Sequence, residues 1–570
     1  MLLATITYPD DQLNQTYSAG GLLHTISDGT GTISNKYDAL SRWAGQTGPW
    51  TWDTITVVNG TGGLPASVTS VGVTVQYAYD IGSRLSSISG PAGTFNYTYN
   101  PTNGLIAGVS CATGGINMSY TFDVLDRPAE ISWKDASNTV LRSFAYSYNT
   151  VGMITQKVTV INDQPATNIY TYDSLDRLMS ESSETSEGTH QTTWTYDLAG
   201  NRLTRMSDGS NMSYSVGLGN RLTSWSTNGQ QKYDAAGNAT NVQYDDGRQL
   251  ALKWDSRYRM TAVSTNGGSA ESYGYDALDR RISISDGATT NYLICDGIHV
   301  IAEVGTSGSL VRSYVYGPGI DNILSMTVYG ATTNTYYYIK DHLGSVQAIV
   351  DASGSIVESY QYDAWGNVLN VFDSSGSPIA NRQSQIGNRY LWQGREISWK
   401  TGLYFFRARW YDPVTGRWLS NDPIGISGGL NQYVFCSNNP VNFVDPTGLD
   451  ARTVLLPFGF SFSFHKPFTQ HNPGEDVHEQ QHRKDWSADR SISGWEMEQR
   501  AFAAQAAFLR QRIKALKNKK CQTDAEQDEL FELKLDLGTA ESIAGSEAAA
   551  KAYWNSTGRQ WWQEELEVKW

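Results

Sequence analysis

Apolar and polar residues alternate along most of the chain with a period of two residues, rather than the 3.6-residue period of a helix. The segment ESYGYD, residues 271–276, shows the pattern, since every second side chain falls on one face of an extended strand. No stretch approaches the roughly 18 consecutive apolar residues of a membrane-spanning helix. The sequence therefore predicts a mainly β chain of many short strands, with no membrane span.

A short motif recurs at the ends of these predicted strands. It consists of an aromatic residue, Asp or Asn, a turn, and then Arg or Asn followed by an apolar residue. Many neighbouring copies lie roughly 20 to 26 residues apart, the spacing of a structural repeat. We expect each unit to be a β-hairpin that buries its apolar face only against other units. The aromatic residues that begin eight copies are Tyr37, Tyr79, Phe122, Tyr172, Tyr196, Tyr233, Tyr275 and Tyr362.

Composition divides the chain at Leu449. After this residue charged side chains become about twice as frequent and glycine becomes rare, which is the change expected between turn-rich β-structure and helices. We therefore place a domain boundary there and predict a mainly α tail. The formal net charge of −14 disfavours nonspecific attraction to nucleic acid or to an anionic membrane surface.

The remaining general features concern compartment and export. The four cysteines lie far apart, without the paired spacing of a zinc ribbon or the density of a disulfide scaffold. The first residues, MLLATITYPDDQ, lack a basic region followed by an apolar core. Any export, whether to the medium or to the cell surface, is therefore expected to use a route that needs no cleavable signal peptide.

The repeats resemble those of the YD-repeat, or Rhs, family. The resemblance is sharpest in the ordered run from YYIKDHLGS at Tyr337 and in the block Arg389–Leu449, which resembles the Rhs-repeat-associated core. It implies a β-hairpin spiral shell that encloses a variable C-terminal effector. The predicted domains are a β-shell over residues 1–388, the core over 389–449 and an effector over 450–570. The resemblance leaves open whether the shell closes and whether the chain is a fragment.

The core contains two Asp-Pro-x-Gly segments, with Asp422 in the first and Asp445 in the second. Two carboxylates that meet in space can divide the work of hydrolysis, one activating water and the other polarising the peptide carbonyl. The family resemblance implies a self-cleaving, aspartic-protease-like site made of these two residues and Arg409, which cuts between Leu449 and Asp450. The alternative from turn chemistry alone is that both segments are ordinary turns.

The tail contains H-E-x-x-H, formed by His478, Glu479 and His482. On a helix the two histidines share one face, so they can bind one Zn²⁺ while Glu479 acts as general base on the metal-bound water. Glu498, on the apolar face of the next predicted helix, is the expected third ligand, with Glu496 as the alternative. The arrangement resembles gluzincin-type, zincin-like peptidases. An exposed, charged helix is the alternative without function.

Two classes of function follow from these features. The first is a polymorphic toxin that cuts itself and carries a zinc metallopeptidase effector, with a protein or peptide substrate, a cognate immunity protein and delivery or shell components as partners. Nucleic acid is not an expected partner in this interpretation. The second is a non-enzymatic, adhesive YD-repeat protein of the cell surface with an inert helical tail. The H-E-x-x-H motif favours the toxin, because an inert tail has no use for it.

Overall fold

Thirty-five consecutive strands form one antiparallel sheet, in which each strand pairs with its neighbours in the chain. The strands of the first half are β1 Thr5–Thr7, β2 Gln12–Tyr17, β3 Leu23–Asp28, β4 Gly31–Tyr37, β5 Trp43–Thr47, β6 Thr54–Asn59, β7 Pro65–Ser70, β8 Val73–Tyr79, β9 Leu85–Gly90, β10 Gly93–Tyr99, β11 Ile106–Cys111, β12 Ile116–Phe122, β13 Pro128–Asp135, β14 Val140–Tyr148, β15 Ile154–Ile161, β16 Gln164–Tyr172, β17 Leu178–Thr185 and β18 Gly188–Tyr196. The second half comprises β19 Arg202–Ser207, β20 Ser210–Val216, β21 Leu222–Trp225, β22 Gly229–Tyr233, β23 Ala239–Gln243, β24 Gln249–Trp254, β25 Met260–Thr265, β26 Glu271–Tyr275, β27 Arg281–Ser285, β28 Thr290–Asp296, β29 His299–Val304, β30 Leu310–Tyr316, β31 Ile323–Val328, β32 Asn334–Lys340, β33 Val346–Val350, β34 Ile356–Tyr362 and β35 Val368–Phe372. The prediction of a mainly β, antiparallel repeat region is confirmed.

The computed structural model describes residues 5–161, 164–185, 188–268, 270–449, 453–455 and 461–463. All of these except Pro101–Gly104 belong to one compact unit. In this part of the chain, no helix has the length and apolar character needed to cross a membrane. The predicted α-helical domain lies outside the described residues, apart from the paired strands β40 Thr453–Leu455 and β41 Ser461–Ser463.

The aspartate of each repeat closes the turn that follows its strand. In the copy after β16, Asp173 Oδ1 accepts hydrogen bonds from the amides of Leu175 and Arg177, at 2.9 and 3.0 Å, and Oδ2 pairs with Arg177 Nε at 2.6 Å. Asp176 takes the left-handed backbone conformation, with φ of 60°. The motif has Arg or Asn after the turn because the side chain at this position must reach the same carboxylate, as Asn201 reaches Asp197.

In many repeats the tyrosine ties its turn to the preceding one. The Tyr196 hydroxyl donates to Leu178 O at 2.7 Å, and Arg177 lies over the Tyr196 ring at 5.0 Å. A cation over an aromatic face and a hydroxyl bound to a carbonyl both stabilise the contact. The same tie recurs along the sheet at Tyr37, Tyr79, Tyr99, Tyr148, Tyr172, Tyr275, Tyr316 and Tyr362.

Distant parts of the sheet pack against one another. Thr30 Oγ1 donates to Tyr275 O and the Tyr337 hydroxyl donates to Ala92 O, both at 2.8 Å and both across 245 positions of sequence. Trp194 and Trp365 meet in the largest apolar cluster, with ring centroids 6.1 Å apart. The sheet thus buries the apolar face of its early strands with its own later strands.

Residues 389–449, which we call the core segment, cover another part of the sheet. They form the four-stranded sheet β36 Glu396–Ile397, β37 Tyr404–Phe406, β38 Arg409–Asp412 and β39 Arg417–Trp418. Five short 3₁₀ helices occur in the described residues, three of them in the core segment: Thr61–Gly63, Leu218–Asn220, Trp392–Gly394, Gly425–Gly428 and Cys436–Asn438. Aromatic side chains centred on Phe435 form the interior of the core segment.

Asparagine side chains fix the core segment to the repeat turns. Asn431 and Asn438 donate to the carbonyls of Ala199 and Gly200, each at 2.8 Å, and Asn421 donates to Ala236 O at 2.7 Å. These carbonyls lie in the turns that follow β18 and β22 and have no partner within a strand ladder. The core segment therefore satisfies backbone groups that the turns leave open.

The tyrosine tie predicts a measurable stability effect. Tyr196→Phe should lower the free energy of unfolding by about 1 kcal/mol, because the carbonyl of Leu178 loses its donor inside the protein. Urea unfolding followed by tryptophan fluorescence measures the change. Tyr258→Phe, which removes an exposed hydroxyl, is the control and should have no effect. Equal unfolding midpoints for the two variants would contradict the proposed tie.

Glu181 predicts a dependence of stability on pH. Its carboxylate accepts from the Ala364 amide at 3.0 Å, and burial, aided by the negative charge of Asp363, raises its pKa from 4.5 to about 7 despite that bond and nearby Lys157. The unfolded chain releases this proton near pH 4.5 and the folded chain retains it to about pH 7. Stability from this group is therefore complete below pH 4.5 and is lost as pH rises to 7.

Glu181→Gln should remove this loss, so the variant should gain stability relative to the parent between pH 5 and pH 8, on the order of 2 kcal/mol. Urea unfolding midpoints at the two pH values give the comparison. Glu184→Gln, on the exposed face of the same strand, is the matched control and should leave the pH dependence unchanged. An identical pH dependence in parent and Glu181→Gln would be inconsistent with a raised pKa.

Candidate active site at the end of the core segment

The core segment brings its arginine and two aspartates together in a buried cluster. Arg409 begins β38, Asp422 follows β39 and Asp445 lies close to the end of the segment. Arg409 Nη1 pairs with Asp422 Oδ2 at 2.9 Å, and Nη2 pairs with Asp445 Oδ2 at 3.2 Å. The three residues are 2%, 6% and 0% exposed, so the charges face each other with little solvent between them.

Aromatic packing fixes the arginine at the centre of this cluster. Trp418 lies under the guanidinium, 4.2 Å from the ring centroid, and the Arg409 Nη1 group also donates to Gln432 O at 3.2 Å. A planar guanidinium can bind two carboxylates through separate nitrogens while it stacks on a ring, which a lysine ammonium cannot do. The geometry therefore explains why arginine occupies this position.

Asp445 also binds the backbone at the predicted cleavage position. Its Oδ1 accepts from the Gly448 amide at 2.8 Å and from the Leu449 amide at 3.1 Å, while Oδ2 faces Arg409. Gly448 has φ of 72°, and a side chain there would collide with the carbonyl of Phe406. The turn and the carboxylate cluster are therefore one structure, because Asp445 uses one oxygen for each.

Asp422 is held in a similar way at the other Asp-Pro segment. Its Oδ1 accepts from the Ile424 amide at 3.1 Å, and its backbone carbonyl accepts from the Gly425 amide at 2.9 Å. The turn thus directs Oδ2 toward Arg409. Two buried carboxylates thus share one guanidinium, and carboxylates are side chains that can serve as general acid and base in hydrolysis.

Two further residues at this site were not predicted from the sequence. Arg407 donates to the carbonyl of Pro446 and pairs with Asp321, which follows β30 in the repeat region. The nearest signal in the sequence is the spacing of the two arginines in RARW, but the contact to Asp321 spans 86 positions and no local pattern indicates it.

The predicted zinc site lies outside the described residues. This applies to the ligands His478, His482 and Glu498, to the alternative ligand Glu496 and to the base Glu479. Within the ranges that the structure does describe, no group of three His, Cys, Asp or Glu side chains is arranged to hold a metal ion. The candidate site that the structure describes therefore lies in the core segment.

Comparison with known proteins places these features in a wider group. Residues 110–441 match the teneurin YD-shell family. The tRNA3(Ser)-specific nuclease WapA of Bacillus spizizenii is 35% identical over 290 residues, which is 49% of this chain and 12% of that protein. The toxin subunit YenC2 of Yersinia entomophaga is 25% identical over 532 residues, covering 76% of this chain and 53% of the subunit. The chain thus spans between an eighth and about half of these relatives.

Solved structures share the fold. The crystal structure of TcdB2-TccC3 without its hypervariable C-terminal region superimposes with a TM-score of 0.61 at 18% sequence identity, covering 78% of this chain and 27% of that one. At this identity the likeness shows the fold alone. The long antiparallel sheet is therefore an established architecture.

Proposed function

Because this chain belongs to the teneurin YD-shell family, we propose that it is a toxin component whose sheet houses a C-terminal effector and whose core segment cuts the chain between Leu449 and Asp450. The name of the relative YenC2, a toxin subunit, supports the toxin role. The single observation that carries self-cleavage is the pair of ion pairs from Arg409 to Asp422 and Asp445, with Asp445 bonded to the Leu449 amide.

The chemistry assigned to the cluster is hydrolysis of one peptide bond. One carboxylate takes a proton from water as the water oxygen attacks the Leu449 carbonyl carbon, and the other, protonated, donates to the carbonyl oxygen. Collapse of the tetrahedral intermediate breaks the bond to the Asp450 nitrogen, which leaves with a proton from the dyad. Arg409 orients both carboxylates. The hydrogen bonds from the Gly448 and Leu449 amides to Asp445 keep the reacting peptide beside them.

Two observations favour this function over an adhesive protein with an inert tail. Burying two carboxylates on one guanidinium is costly, and apolar residues would stabilise a purely structural contact at least as well. The cluster also lies directly beside the composition boundary that the sequence shows after Leu449. A secreted or surface location belongs to the same proposal.

For the tail, we keep the zinc-dependent peptidase effector as the proposal, with Zn²⁺ bound by His478, His482 and Glu498. Its support is the H-E-x-x-H motif in the sequence. A protein or peptide substrate, an immunity protein and delivery components are the partners this role requires. The name of WapA, a tRNA nuclease, favours a nuclease effector as the second candidate, and under it nucleic acid is a substrate.

Self-cleavage predicts two fragments. Freshly purified protein should separate on a denaturing gel into a core-containing piece that ends at Leu449 and a tail of 121 residues that begins at Asp450. Asp422→Asn and Asp445→Asn should remain intact, because each removes one half of the dyad. Asp412→Asn, at a fully buried aspartate bonded to Thr415 instead, is the control and should still be cut. Wild-type protein that stays intact after long incubation would refute the proposed cleavage.

The peptidase proposal predicts a metal content. The full chain should carry one zinc ion, Glu479→Gln should retain it while peptide hydrolysis is lost, and His482→Ala should lose both. Elemental analysis and a peptide assay test this. His465→Ala, which changes a tail histidine outside the H-E-x-x-H motif, is the control and should keep both properties. A zinc-free chain that degrades tRNA would decide for the nuclease candidate.

A further inference from the structure

Three consecutive carbonyls before the cleavage position are each held by one of three consecutive residues. Arg407 donates from Nη1 to Pro446 O, Ala408 donates from its amide to Thr447 O at 3.1 Å, and Arg409 donates from Nε to Gly448 O. Each partner lies 39 positions after its donor, so the two segments run in fixed register. Of the three donors, Arg409 also pairs with both aspartates of the dyad.

Arg407 is itself held from several directions. It has φ of 59°, an unfavourable conformation for a residue with a side chain, and its Nε donates to Ile298 O at 3.2 Å. Its Nη2 and Nη1 bind Asp321 Oδ1 and Oδ2 at 2.6 and 3.1 Å. Arg395 binds the same carboxylate at 2.6 Å. The Arg407 guanidinium is thus anchored on residues of the repeat sheet as well as on the core segment.

Asp321, which anchors Arg407, and the titratable groups beside it do not change protonation state in the neutral range. Burial alone would raise the pKa of Asp321, but Arg395 and Arg407 lower it to about 2. His299, whose Nε2 accepts from the Asp321 amide, has its pKa lowered to about 4 by burial and by Arg407. Tyr316, stacked on the His299 ring, has a pKa far above its ordinary value because it is buried. Asp321 therefore stays ionised and His299 and Tyr316 stay neutral through the neutral range.

We infer that Arg407, anchored by Asp321, is a positioning residue for the cleavage: it holds Pro446 O so that the Leu449 peptide stands at the aspartate dyad. This inference rests on the proposed self-cleavage. Arg407 acts through the turn that carries Asp445, since it holds the carbonyl of Pro446 in that turn. The repeat sheet, through Asp321, thereby contributes to the geometry of a site whose reacting groups all belong to the core segment.

The test measures the rate of cleavage in newly made chain. Labelled full-length protein is made by cell-free translation, and translation is then stopped. Denaturing gels follow the appearance of the fragments with time at pH values from about 5 to 9. Arg407→Lys keeps the charge but loses the fork that binds Asp321 and Pro446 O together. We expect its rate constant to fall about tenfold or more, with the same final extent of cleavage and the same shape of pH profile.

Arg389→Lys is the matched control. Arg389 is similarly buried and pairs with Glu303 at 2.7 Å and Glu396 at 2.9 Å, but it makes none of the contacts to the turn before Leu449. It should cleave at the wild-type rate. Asp321→Asn provides a second variant, which should slow cleavage in the same way because it releases Arg407.

Each outcome decides a different claim. Wild-type protein that is never cut overturns the proposed function itself. If the wild type is cut and Arg407→Lys keeps its rate constant, the positioning role is wrong. The positioning role is also wrong if cleavage of Arg389→Lys is slowed as much as cleavage of Arg407→Lys. The same holds if the pH profile of Arg407→Lys changes shape, or if this variant lowers only the fraction of chain cut and not the rate constant. Failure of both Arg407→Lys and Asp321→Asn to resist limited proteolysis would show a role in folding alone and overturn the inference.

Discussion

The hydrogen bonds by which an aspartate closes each repeat turn are the interaction on which the rest of the structure depends. A single sheet of 35 strands has turns along both of its edges, and each turn leaves backbone groups outside the strand ladder. Asp173 and its counterparts satisfy several of these groups with one carboxylate. The same carboxylate holds an arginine in place for the next tyrosine, so local turn chemistry and the spacing of successive hairpins are coupled.

The candidate site in the core segment contains a turn that is closed in a similar way. Asp445 closes a turn with Oδ1 in the same way that Asp173 does, by accepting two amides that follow it. The difference lies in the second oxygen, which binds an arginine from a distant strand rather than the arginine of its own turn. A turn of the repeat type thus becomes a candidate catalytic element when its carboxylate is shared with Asp422 through Arg409.

Some parts of this structure could be predicted from the sequence and others could not. Strand periodicity and the recurring turn residues predicted the antiparallel sheet, because both are local properties. The resemblance to a known family indicated Arg409, Asp422 and Asp445 together, and the structure places them in contact, while their catalytic role stays a prediction. Arg407 and Asp321 were not predicted, because their contact joins residues 86 positions apart. It also depends on the left-handed backbone conformation of Arg407, which no sequence pattern indicates. The zinc ligands lie beyond the described residues.

The asparagine contacts between the core segment and the repeat turns have a consequence for timing. Strand pairing between chain neighbours has low contact order, so the sheet can grow hairpin by hairpin as the polypeptide leaves the ribosome. The core segment, by contrast, binds turns such as Ala199 and Ala236 that were synthesised roughly 200 residues earlier. These contacts of the core segment can therefore form only once the turns after β18 and β22 are in place. Under the proposed self-cleavage, the chain is therefore cut only after this part of the fold is complete, and an unfinished polypeptide does not cut itself.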